Sequence, residues 1–376
     1  MPGLDFIDDE LAALTARDRR RVVRTVTARA GAEVVVDGRT LVNFAGNDYL
    51  GLAVDGRLAR AAARAEAELG VGAGASRLIS GHTAVTDELE RRLAAWVRRP
   101  AARLFNSGYS ANTGLLPVLA GPGDVVFSDE RNHASLIDGC RLSRARVEVY
   151  RHLDLDDLRS RLGQVEGRRR FVISESLFSM DGDGPDLGAL AEVAHQAGAA
   201  LVVDDAHALG VEGPAGEGLA AGSGADVVVG TLGKAVGSAG AFVAGPANLC
   251  ELLWNRARPL VFSTGPTIGS QAAALEGVAL LQGPEGDARR AHVAGLRAQL
   301  SSALGIPAPS AIVPVILGSD RAAVDAARAL ESAGLWVPAI RPPTVAEGTA
   351  RLRVTLSAAH SADQIGRLID ALRRFV

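Results

Sequence analysis

The sequence contains few cysteines, methionines and aromatic residues. Of its 376 residues, two are Cys, two are Met and 4% are aromatic, whereas 48% are hydrophobic and 22% are charged. Cys140 and Cys250 form neither a spaced metal-binding motif nor a disulfide framework. No apolar stretch reaches the roughly eighteen residues of a membrane span, and the amino terminus lacks the basic and apolar regions of a signal peptide. We therefore expect a soluble, cytoplasmic, globular protein without a metal centre.

The chain also lacks a strong charge of either sign. Its net charge is −3 at pH 7 and its pI is about 6.2, values that give no reason to expect nucleic acid or an anionic membrane as a partner. The forty basic residues are almost all arginine, and alanine and glycine are abundant. We interpret this composition as sequence bias rather than as a functional feature.

The most informative stretch is an apolar run followed by charged residues. Residues 201–203 are apolar and lead into Asp204 and then His207. Such runs are typical of interior strands in parallel sheets, and open α/β sheets bind ligands at the carboxyl ends of these strands. A second apolar run ends shortly before Lys234. An acid, an imidazole and an amine are therefore expected at one edge of a sheet.

An aspartate and a lysine in this arrangement suit pyridoxal phosphate (PLP). The lysine amine forms a Schiff base with the cofactor, and the carboxylate keeps the pyridine nitrogen protonated, so the ring becomes an electron sink. The segment 230–234 also resembles a nucleotide-binding phosphate loop. That pattern requires glycine where Val228 stands and serine or threonine where Ala235 stands, so we reject it. A solvated structural lysine is the remaining alternative for Lys234.

Strand and helix patterns alternate over the central part of the chain. This alternation predicts an α/β fold in which a mostly parallel sheet is covered by helices on both faces. The residues from 310 onward predict a smaller α+β unit. We divide the chain into an amino-terminal helix and hairpin arm, a large PLP-binding domain, and a linking helix with a small carboxyl-terminal domain, at 1–45, 46–250 and 251–376.

The amino-terminal third predicts a helix, a hairpin and a glycine-rich loop. Apolar residues recur at helical spacing near the start, and we interpret the arginines at 17–24 as a solvated helix face. Residues 33–44 predict a hairpin with Asp37 and Gly38 in its turn. The segment 70–81 formally contains a dinucleotide-binding fingerprint. Because a helix rather than a strand precedes that segment, we predict a flexible loop instead.

Two predicted helix starts supply further candidate residues. Gly108 and Tyr109 form a turn before a helix, where free backbone N–H groups and the helix dipole favour a phosphate. A plain capped turn is an equally good interpretation of these two residues. His133 begins another helix directly after a strand. A histidine in that position is usually a cap, but an imidazole beside PLP can stack on the ring.

Taken together, these motifs resemble those of the α-oxoamine synthases, which are fold-type I PLP enzymes. The matching segments extend over nearly the whole chain and are 47–52, 179–182, 204–207, 233–234 and 357–360. The resemblance implies a PLP cofactor and the condensation of an amino acid with an acyl-CoA thioester, with loss of carbon dioxide. Segments 339–345 and 348–353 are most similar to members that join L-alanine to pimeloyl-CoA, or to a pimeloyl carrier protein, in biotin biosynthesis.

Several other activities are kept as alternatives. Glycine C-acetyltransferase (2-amino-3-ketobutyrate CoA ligase) and 5-aminolevulinate synthase share the family motifs but use glycine, and segment 341–344 argues against both. An aminotransferase on the same fold needs the same lysine and aspartate, but the match over the full length disfavours it. A non-catalytic scaffold subunit should have lost Lys234 or Asp204, and both are present.

The resemblance implies a role for each candidate PLP residue. Lys234 would form the Schiff base and act as the base, while Asp204 would pair with the pyridine nitrogen. His207 would bond the ring oxygen, and His133 would stack on the ring. The further cofactor contacts are Gly108, Tyr109, Ser179 and Thr231, together with Ser263 and Thr264 of the partner subunit. The expected active unit is therefore a homodimer with its active sites at the subunit interface.

The resemblance also implies a substrate site. Arg353 would clamp the amino-acid carboxylate through a bidentate contact, with Asn47 nearby. The further contacts to the acyl substrate or to a carboxylate are Arg21, Glu175, Arg341 and Thr344.

Overall fold

The computed structural model describes residues 3–376 of the chain. Its helices are α1 (Phe6–Ala16), α2 (Gly56–Leu69), α3 (Ala84–Trp96), α4 (Gly108–Leu119), α5 (Ala134–Ser143), α6 (Leu155–Gln164), α7 (Leu187–Gln196), α8 (Ala247–Arg256), α9 (Arg258–Val261), α10 (Ile268–Leu281), α11 (Pro284–Leu304), α12 (Asp320–Ser332) and α13 (Ala362–Leu372). Its strands are β1 (Val26–Ala30), β2 (Glu33–Val36), β3 (Arg39–Asn43), β4 (Ala101–Phe105), β5 (Val125–Asp129), β6 (Arg146–Tyr150), β7 (Arg170–Glu175), β8 (Ala200–Asp204), β9 (Val227–Thr231), β10 (Ala241–Gly245), β11 (Ile312–Gly318), β12 (Leu335–Trp336), β13 (Ala339–Ile340) and β14 (Ala350–Thr355).

The chain divides into two compact units. The large unit comprises residues 50–179 and 183–291, and the small unit comprises residues 1–49, 180–182 and 292–376. This division groups the amino-terminal arm with the carboxyl-terminal residues. It also leaves 251–291 in the large unit, whereas the sequence patterns had grouped that segment with the small domain.

The large unit is built on a seven-stranded sheet with strand order β4-β10-β9-β8-β7-β5-β6. Strands β5 to β9 pair in parallel, and β10 is antiparallel to both of its neighbours. Alternate residues of β8 belong to different apolar clusters: Val202 packs into one, and Leu201 and Val203 pack into the other. Helices therefore cover both faces, which confirms the predicted mostly parallel, doubly covered sheet.

The small unit contains two sheets, in the orders β1-β2-β3-β12 and β11-β14-β13. The predicted hairpin is formed by β2 and β3, and Asp37 and Gly38 in its turn have φ angles of 50° and 75°. The buried side chains of β11 and β14 share one core with those of α12 and α13. This arrangement confirms the predicted smaller α+β unit.

The arginine-rich segment after α1 does not form a helix, so the prediction of a helix face at 17–24 is wrong. Helix α1 ends at Ala16, and the segment that follows is irregular. Arg19 bonds Asp320 at 2.8 Å, and Arg24 bonds Glu331 at 2.7 Å. Because these carboxylates lie elsewhere in the small unit, the side chains reach them only from a non-helical backbone.

The glycine-rich segment 70–81 is hydrogen-bonded to a second segment of the large unit. The N–H of Gly265 donates to the carbonyl of Ala75, and the N–H of Ile268 donates to that of Val71. The segment ends in a π-helical turn, Arg77–Gly81. Helix α2 precedes it, in agreement with our rejection of a dinucleotide site. Among residues 3–376, no helix combines the length and the apolar composition needed to cross a bilayer.

Candidate active site

The carboxyl ends of β8 and β9 hold three of the predicted catalytic residues. Asp204 is the last residue of β8, is buried, and accepts a hydrogen bond from the N–H of Ala206 at 3.0 Å. His207 follows in the next turn. Its Nε2 lies 2.7 Å from Nζ of Lys234, which is three residues beyond the end of β9. The adjacent parallel strands therefore bring the imidazole and the amine into contact.

A tight loop fixes the backbone around Lys234. The N–H of Leu232 donates to the carbonyl of Gly240, and the N–H of Gly237 donates to the carbonyl of Lys234. Gly237 has a φ of +76°, and a Cβ there would lie 2.6 Å from the backbone of Leu52. Only glycine fits that position, so the close packing of the loop against Leu52 depends on Gly237.

Lys234 is the only lysine in the chain. The sequence analysis recognised the excess of arginine over lysine but not this consequence of it. The chain therefore carries a single side-chain amine, and that amine lies beside His207 and near Asp204. A count of lysines in the printed sequence would have given the strongest signal for Lys234.

Two buried residues that the sequence analysis missed contact the predicted site. Asn112 Nδ2 donates to Asp204 Oδ2 at 2.7 Å and to Ser135 Oγ at 2.9 Å. Ser135 Oγ lies 2.8 Å from Nδ1 of His133. Asn112 lies on α4 and Ser135 on α5, so their approach depends on helix packing and not on sequence spacing.

His133 and Glu175 lie at the edge of this group. His133 is the N-cap of α5, and its N–H donates to Glu175 Oε1 at 2.7 Å. Burial lowers the pKa of His133; Asp204 opposes that shift, and Lys234 adds to it. Burial raises the pKa of Glu175 well above its ordinary value, and Asp204 acts in the same direction. The hydrogen bond from the His133 N–H to Glu175 fixes the backbone of His133, and the sequence did not suggest this contact.

The predicted phosphate-binding site lies at the start of α4. Ser107 caps this helix, with its Oγ accepting from the N–H of Ser110. The first N–H groups of a helix have no intrahelical partner, so those of Gly108 and Tyr109 suit an anion. The Tyr109 ring lies edge-on to His133 with centroids 6.4 Å apart. Thr231 Oγ1 donates to the carbonyl of Gly240 at 3.2 Å.

The remaining predicted cofactor residues also belong to the large unit. Ser263 Oγ donates to the carbonyl of Pro259, and the carbonyl of Thr264 accepts from Nδ2 of Asn106 at 3.1 Å. Asn106 directly precedes the capped start of α4. Ser179 is half-buried and is the last large-unit residue before the segment 180–182.

The predicted carboxylate clamp lies in the small unit. Arg353 is buried on β14 and donates to Asn47 Oδ1 at 3.2 Å and to Thr355 Oγ1 at 3.0 Å. The Tyr49 hydroxyl also donates to Asn47 Oδ1, at 3.3 Å. Burial raises the pKa of Tyr49 to about 12, so its hydroxyl stays a donor at neutral pH. Arg353 is thus held in one orientation, and the sequence had predicted only its contact with Asn47.

Of the other predicted substrate residues, Glu175 lies in the large unit beside His133, whereas Arg21, Arg341 and Thr344 lie in the small unit. Arg21 Nη2 donates to Thr344 Oγ1 at 3.0 Å, and Arg341 donates to the carbonyl of Asp18. Arg21 is exposed and Arg341 is half-buried. Two guanidinium groups and a hydroxyl in this part of one unit suit a carboxylate or phosphate ligand.

Among residues 3–376, no cluster of three or more His, Cys, Asp or Glu side chains has a geometry that could hold a metal ion. What the large unit offers is a buried carboxylate, an amine, an imidazole and a helix start. These groups suit an anionic ring cofactor with a basic nitrogen and a carbonyl group.

Comparisons with known proteins agree with this chemistry. The sequence model of the aminotransferase class I and II family matches residues 39–372. A relative from Anaeromyxobacter dehalogenans (strain 2CP-1 / ATCC BAA-258), named 8-amino-7-oxononanoate synthase, is 48% identical and covers 98% of this chain and 95% of its own. A relative of the same name from Aromatoleum aromaticum (strain DSM 19018 / LMG 30748 / EbN1) is 46% identical. Its alignment covers 99% of this chain and 98% of the relative.

Solved structures show the same fold. A serine palmitoyltransferase from Sphingomonas wittichii is 30% identical, has a TM-score of 0.92, and covers 99% of this chain and 97% of its own. An 8-amino-7-oxononanoate synthase from Francisella tularensis is 27% identical and has a TM-score of 0.75. The superposition covers 89% of this chain and 97% of the Francisella chain. These matches confirm the fold class predicted from the motifs. The chain belongs to the aminotransferase class I and II family and, within it, to the family of the 8-amino-7-oxononanoate synthases.

Proposed function

We propose that this chain condenses L-alanine with pimeloyl-CoA, or with a pimeloyl carrier protein, as a PLP-dependent acyltransferase. The products are 8-amino-7-oxononanoate, the free thiol and carbon dioxide, and the reaction is a step of biotin biosynthesis. The observation that carries the proposal is the contact between Lys234 and His207 beyond the carboxyl ends of the neighbouring strands β8 and β9, the first of which ends at Asp204. The names of relatives that are 46–48% identical over nearly the whole chain support the choice of substrates.

The residues present fit PLP. Asp204 is a carboxylate whose two oxygens already accept N–H groups from Ala206 and Asn112, which holds it in place to pair with a protonated pyridine nitrogen. The start of α4 suits the phosphate, and the Lys234 amine suits the aldehyde carbon. When bound, PLP supplies an electron sink for the negative charge that develops at the substrate Cα.

The protein side chains supply binding, orientation and proton transfer. Lys234 would hold the cofactor through its amine, and the same amine would serve as the base that takes the proton from the substrate Cα. Arg353 binds the alanine carboxylate through two N–H donors, which orients the Cα–H bond for removal. Asp204 keeps a proton on the pyridine nitrogen because its negative charge favours the protonated ring. Arg21, Arg341 and Thr344 suit the distal carboxylate of the pimeloyl chain.

We also propose that the active unit is a homodimer in which Ser263 and Thr264 of the partner subunit bind the cofactor phosphate. Exposed apolar side chains lie in the segment that carries these residues and in the segment hydrogen-bonded to it. Phe262 is 74% exposed, and Ile79 in the hydrogen-bonded neighbouring segment is 81% exposed. Exposed apolar groups of this size are typical of protein interfaces.

The decisive experiment measures release of free thiol by the PLP-loaded protein with defined substrate pairs. Fast release with L-alanine and pimeloyl-CoA, and slow release with glycine and either acetyl-CoA or succinyl-CoA, is the expected result. Release only with glycine would assign a sister activity of the same family. No release with any pair, including a pimeloyl carrier protein, would contradict the proposal.

A serine-using synthase is the second candidate. The serine palmitoyltransferase structure has a TM-score of 0.92, higher than the 0.75 of the Francisella synthase. The sequence identity of 30% is much lower than the 48% reached with the Anaeromyxobacter synthase. The same thiol assay with L-serine and palmitoyl-CoA separates the two candidates, and we expect it to show no release above background.

A further inference from the structure

A continuous set of hydrogen bonds runs from Asp204 to the ring of His133. Asn112 contacts Asp204 and Ser135, and Ser135 contacts Nδ1 of His133 through its hydroxyl at 2.8 Å and through its N–H at 3.2 Å. Asn112 and Ser135 are each 1% exposed. Neither residue was a candidate in the sequence. The proposed reaction uses Asn112 only to hold Asp204 and gives Ser135 no role.

Close packing of two helices makes this contact possible. Gly139 lies on α5 one turn beyond Ser135, and a Cβ there would lie 2.8 Å from the carbonyl oxygen of Asn112. A glycine at this crossing lets α5 approach α4 closely enough for the Asn112 side chain to reach Ser135. The connection is therefore built into the packing of the large unit.

The chemistry of the groups sets the direction of each bond. An ionised carboxylate only accepts, so the amide nitrogen of Asn112 must face Asp204. Its second hydrogen points at Ser135 Oγ, which leaves the Ser135 hydroxyl hydrogen free to donate to His133. The backbone N–H of Ser135 also points at Nδ1, and a backbone N–H can only donate. Nδ1 of His133 is consequently an acceptor.

An imidazole whose Nδ1 accepts carries its hydrogen on Nε2. We propose that Asn112 and Ser135 are positioning residues that hold His133 as the neutral Nε2–H tautomer, so that the ring offers a hydrogen-bond donor to an oxygen of the bound cofactor or substrate. The identity of that bound molecule rests on the proposed function. The tautomer rests on the contacts of the chain alone.

The surroundings of the ring agree with a neutral His133. Its pKa is lowered by burial and by Lys234, and raised by Asp204. Glu175 contacts its backbone N–H, and the Tyr109 ring lies edge-on to it. The backbone N–H of Ser135 at Nδ1 also favours the neutral form, because protonation of Nδ1 would set two N–H groups against each other.

The test is a long-range 1H–15N NMR spectrum of the protein labelled with 15N at histidine, recorded with and without PLP. The His133→Gln variant assigns the ring signals. We expect the Nε2–H pattern for His133 in both states. A wild-type spectrum with the hydrogen on Nδ1 would overturn the proposal, and this measurement needs no substituted positioning residue to fold.

Three variants test the positioning role. In Ser135→Ala, the backbone N–H of residue 135 still donates to Nδ1, so His133 should keep Nε2–H as its main tautomer. Its pKa should rise by about 0.5 to 1 unit, because the hydroxyl donor to Nδ1 is lost. Ser135→Thr keeps the hydroxyl and should restore the wild-type pKa. Ser143→Ala is the matched control, since Ser143 is a buried serine on the same helix whose hydroxyl bonds the carbonyl of Cys140 instead.

The outcomes separate this inference from the proposed function. If thiol release fails for every substrate pair while the His133 signals behave as expected, the proposed reaction is wrong and the tautomer assignment stands. If Ser135→Ala leaves the titration of His133 unchanged, the positioning role is wrong whatever the protein catalyses.

Discussion

At the scale of single residues, the proposed chemistry depends on Lys234 because no other side chain could replace it. It is the only lysine of the chain, and its Nζ contacts His207 in a loop held by backbone hydrogen bonds. A guanidinium is a poor nucleophile at any accessible pH, so none of the many arginines can form the same covalent bond. This makes the assignment of the cofactor residue testable by chemical labelling.

We predict that Lys234→Ala loses both turnover and covalent attachment of PLP. Borohydride reduction of the loaded wild-type protein should mark one tryptic peptide, the one that contains residue 234. Lys234→Arg keeps the positive charge and serves as the control for charge alone, and it should be equally inactive. Retention of PLP after reduction and dialysis in either variant would remove the basis for the assignment.

A second residue-scale prediction concerns His360 in the core of the small unit. Its ring stacks on Phe44 at 4.2 Å, Nε2 donates to the carbonyl of Asn43, and Nδ1 accepts from the N–H of Ser357. Burial lowers the pKa of His360 to about 4. The neutral form is the one that the fold accommodates, so protonation opposes folding.

The unfolded chain should bind a proton at its His360 near pH 6.5, whereas the folded protein should bind one only near pH 4. The stability contributed by the neutral ring is therefore complete above pH 6.5 and falls as the pH is lowered from 6.5 to 4, by roughly 3 kcal/mol in total. Urea unfolding of wild type and His360→Gln across this range measures the difference. If the free energy of unfolding changed with pH in the same way for both proteins, the prediction would be contradicted.

At the scale of elements, the site depends on the register of neighbouring strands. Glu175 of β7 pairs with Asp204 of β8, and Asp204 pairs with Val229 of β9. This pairing places the ends of three strands at one edge, where the turns that follow carry His207 and Lys234. The alternation of strands and helices predicted this edge, because βαβ units direct every carboxyl end the same way.

The loop between β7 and α7 contains a position that only glycine can occupy. Gly182 has a φ of +70°, and a Cβ there would lie 2.2 Å from the carbonyl oxygen of Ile312. We predict that Gly182→Ala lowers the free energy of unfolding by about 2 kcal/mol or more, since backbone strain and a clash both oppose it. Calorimetry or urea unfolding gives the value.

Gly163→Ala is the matched control for that substitution. Gly163 lies in α6, its added Cβ would meet nothing within 4 Å, and its φ is not positive. Alanine there should raise the stability by about 0.5 to 1 kcal/mol. A similar decrease in the free energy of unfolding for both variants would show that the clash at residue 182 does not account for the loss of stability.

At the scale of the whole molecule, the exposed apolar residues around Phe262 predict self-association. We expect Phe262→Asp to convert the dimer into monomers and to weaken the retention of PLP, because the phosphate contacts from the partner subunit would be lost. Light scattering coupled to size-exclusion chromatography measures the mass. Ile316→Asp, at a residue of β11 that is 59% exposed in the small unit, is the control and should stay dimeric. A Phe262→Asp protein that remains dimeric would exclude this surface as the interface.

The sequence by itself determined the fold class, the family and the main reactive groups. Apolar runs ending in Asp204 and shortly before Lys234 predict interior strands and the edge where they end, because the pattern that marks such strands is local in the sequence. The arginines at 17–24 were misassigned because their local spacing also suits a helix. Their partners, Asp320 and Glu331, lie about three hundred residues away along the chain.

Only the tertiary structure decided how the reactive groups are held. Asn112 and Ser135 lie on different helices, and Tyr49 and Arg353 both contact Asn47 although Arg353 lies about three hundred residues away along the chain, so no spacing in the sequence marks these contacts. Hydrogen-bond direction depends on which donor faces which acceptor, and that is set by packing at distances of about 3 Å. The tautomer of His133 is therefore a property of the folded large unit, whereas the presence of the histidine is a property of the sequence.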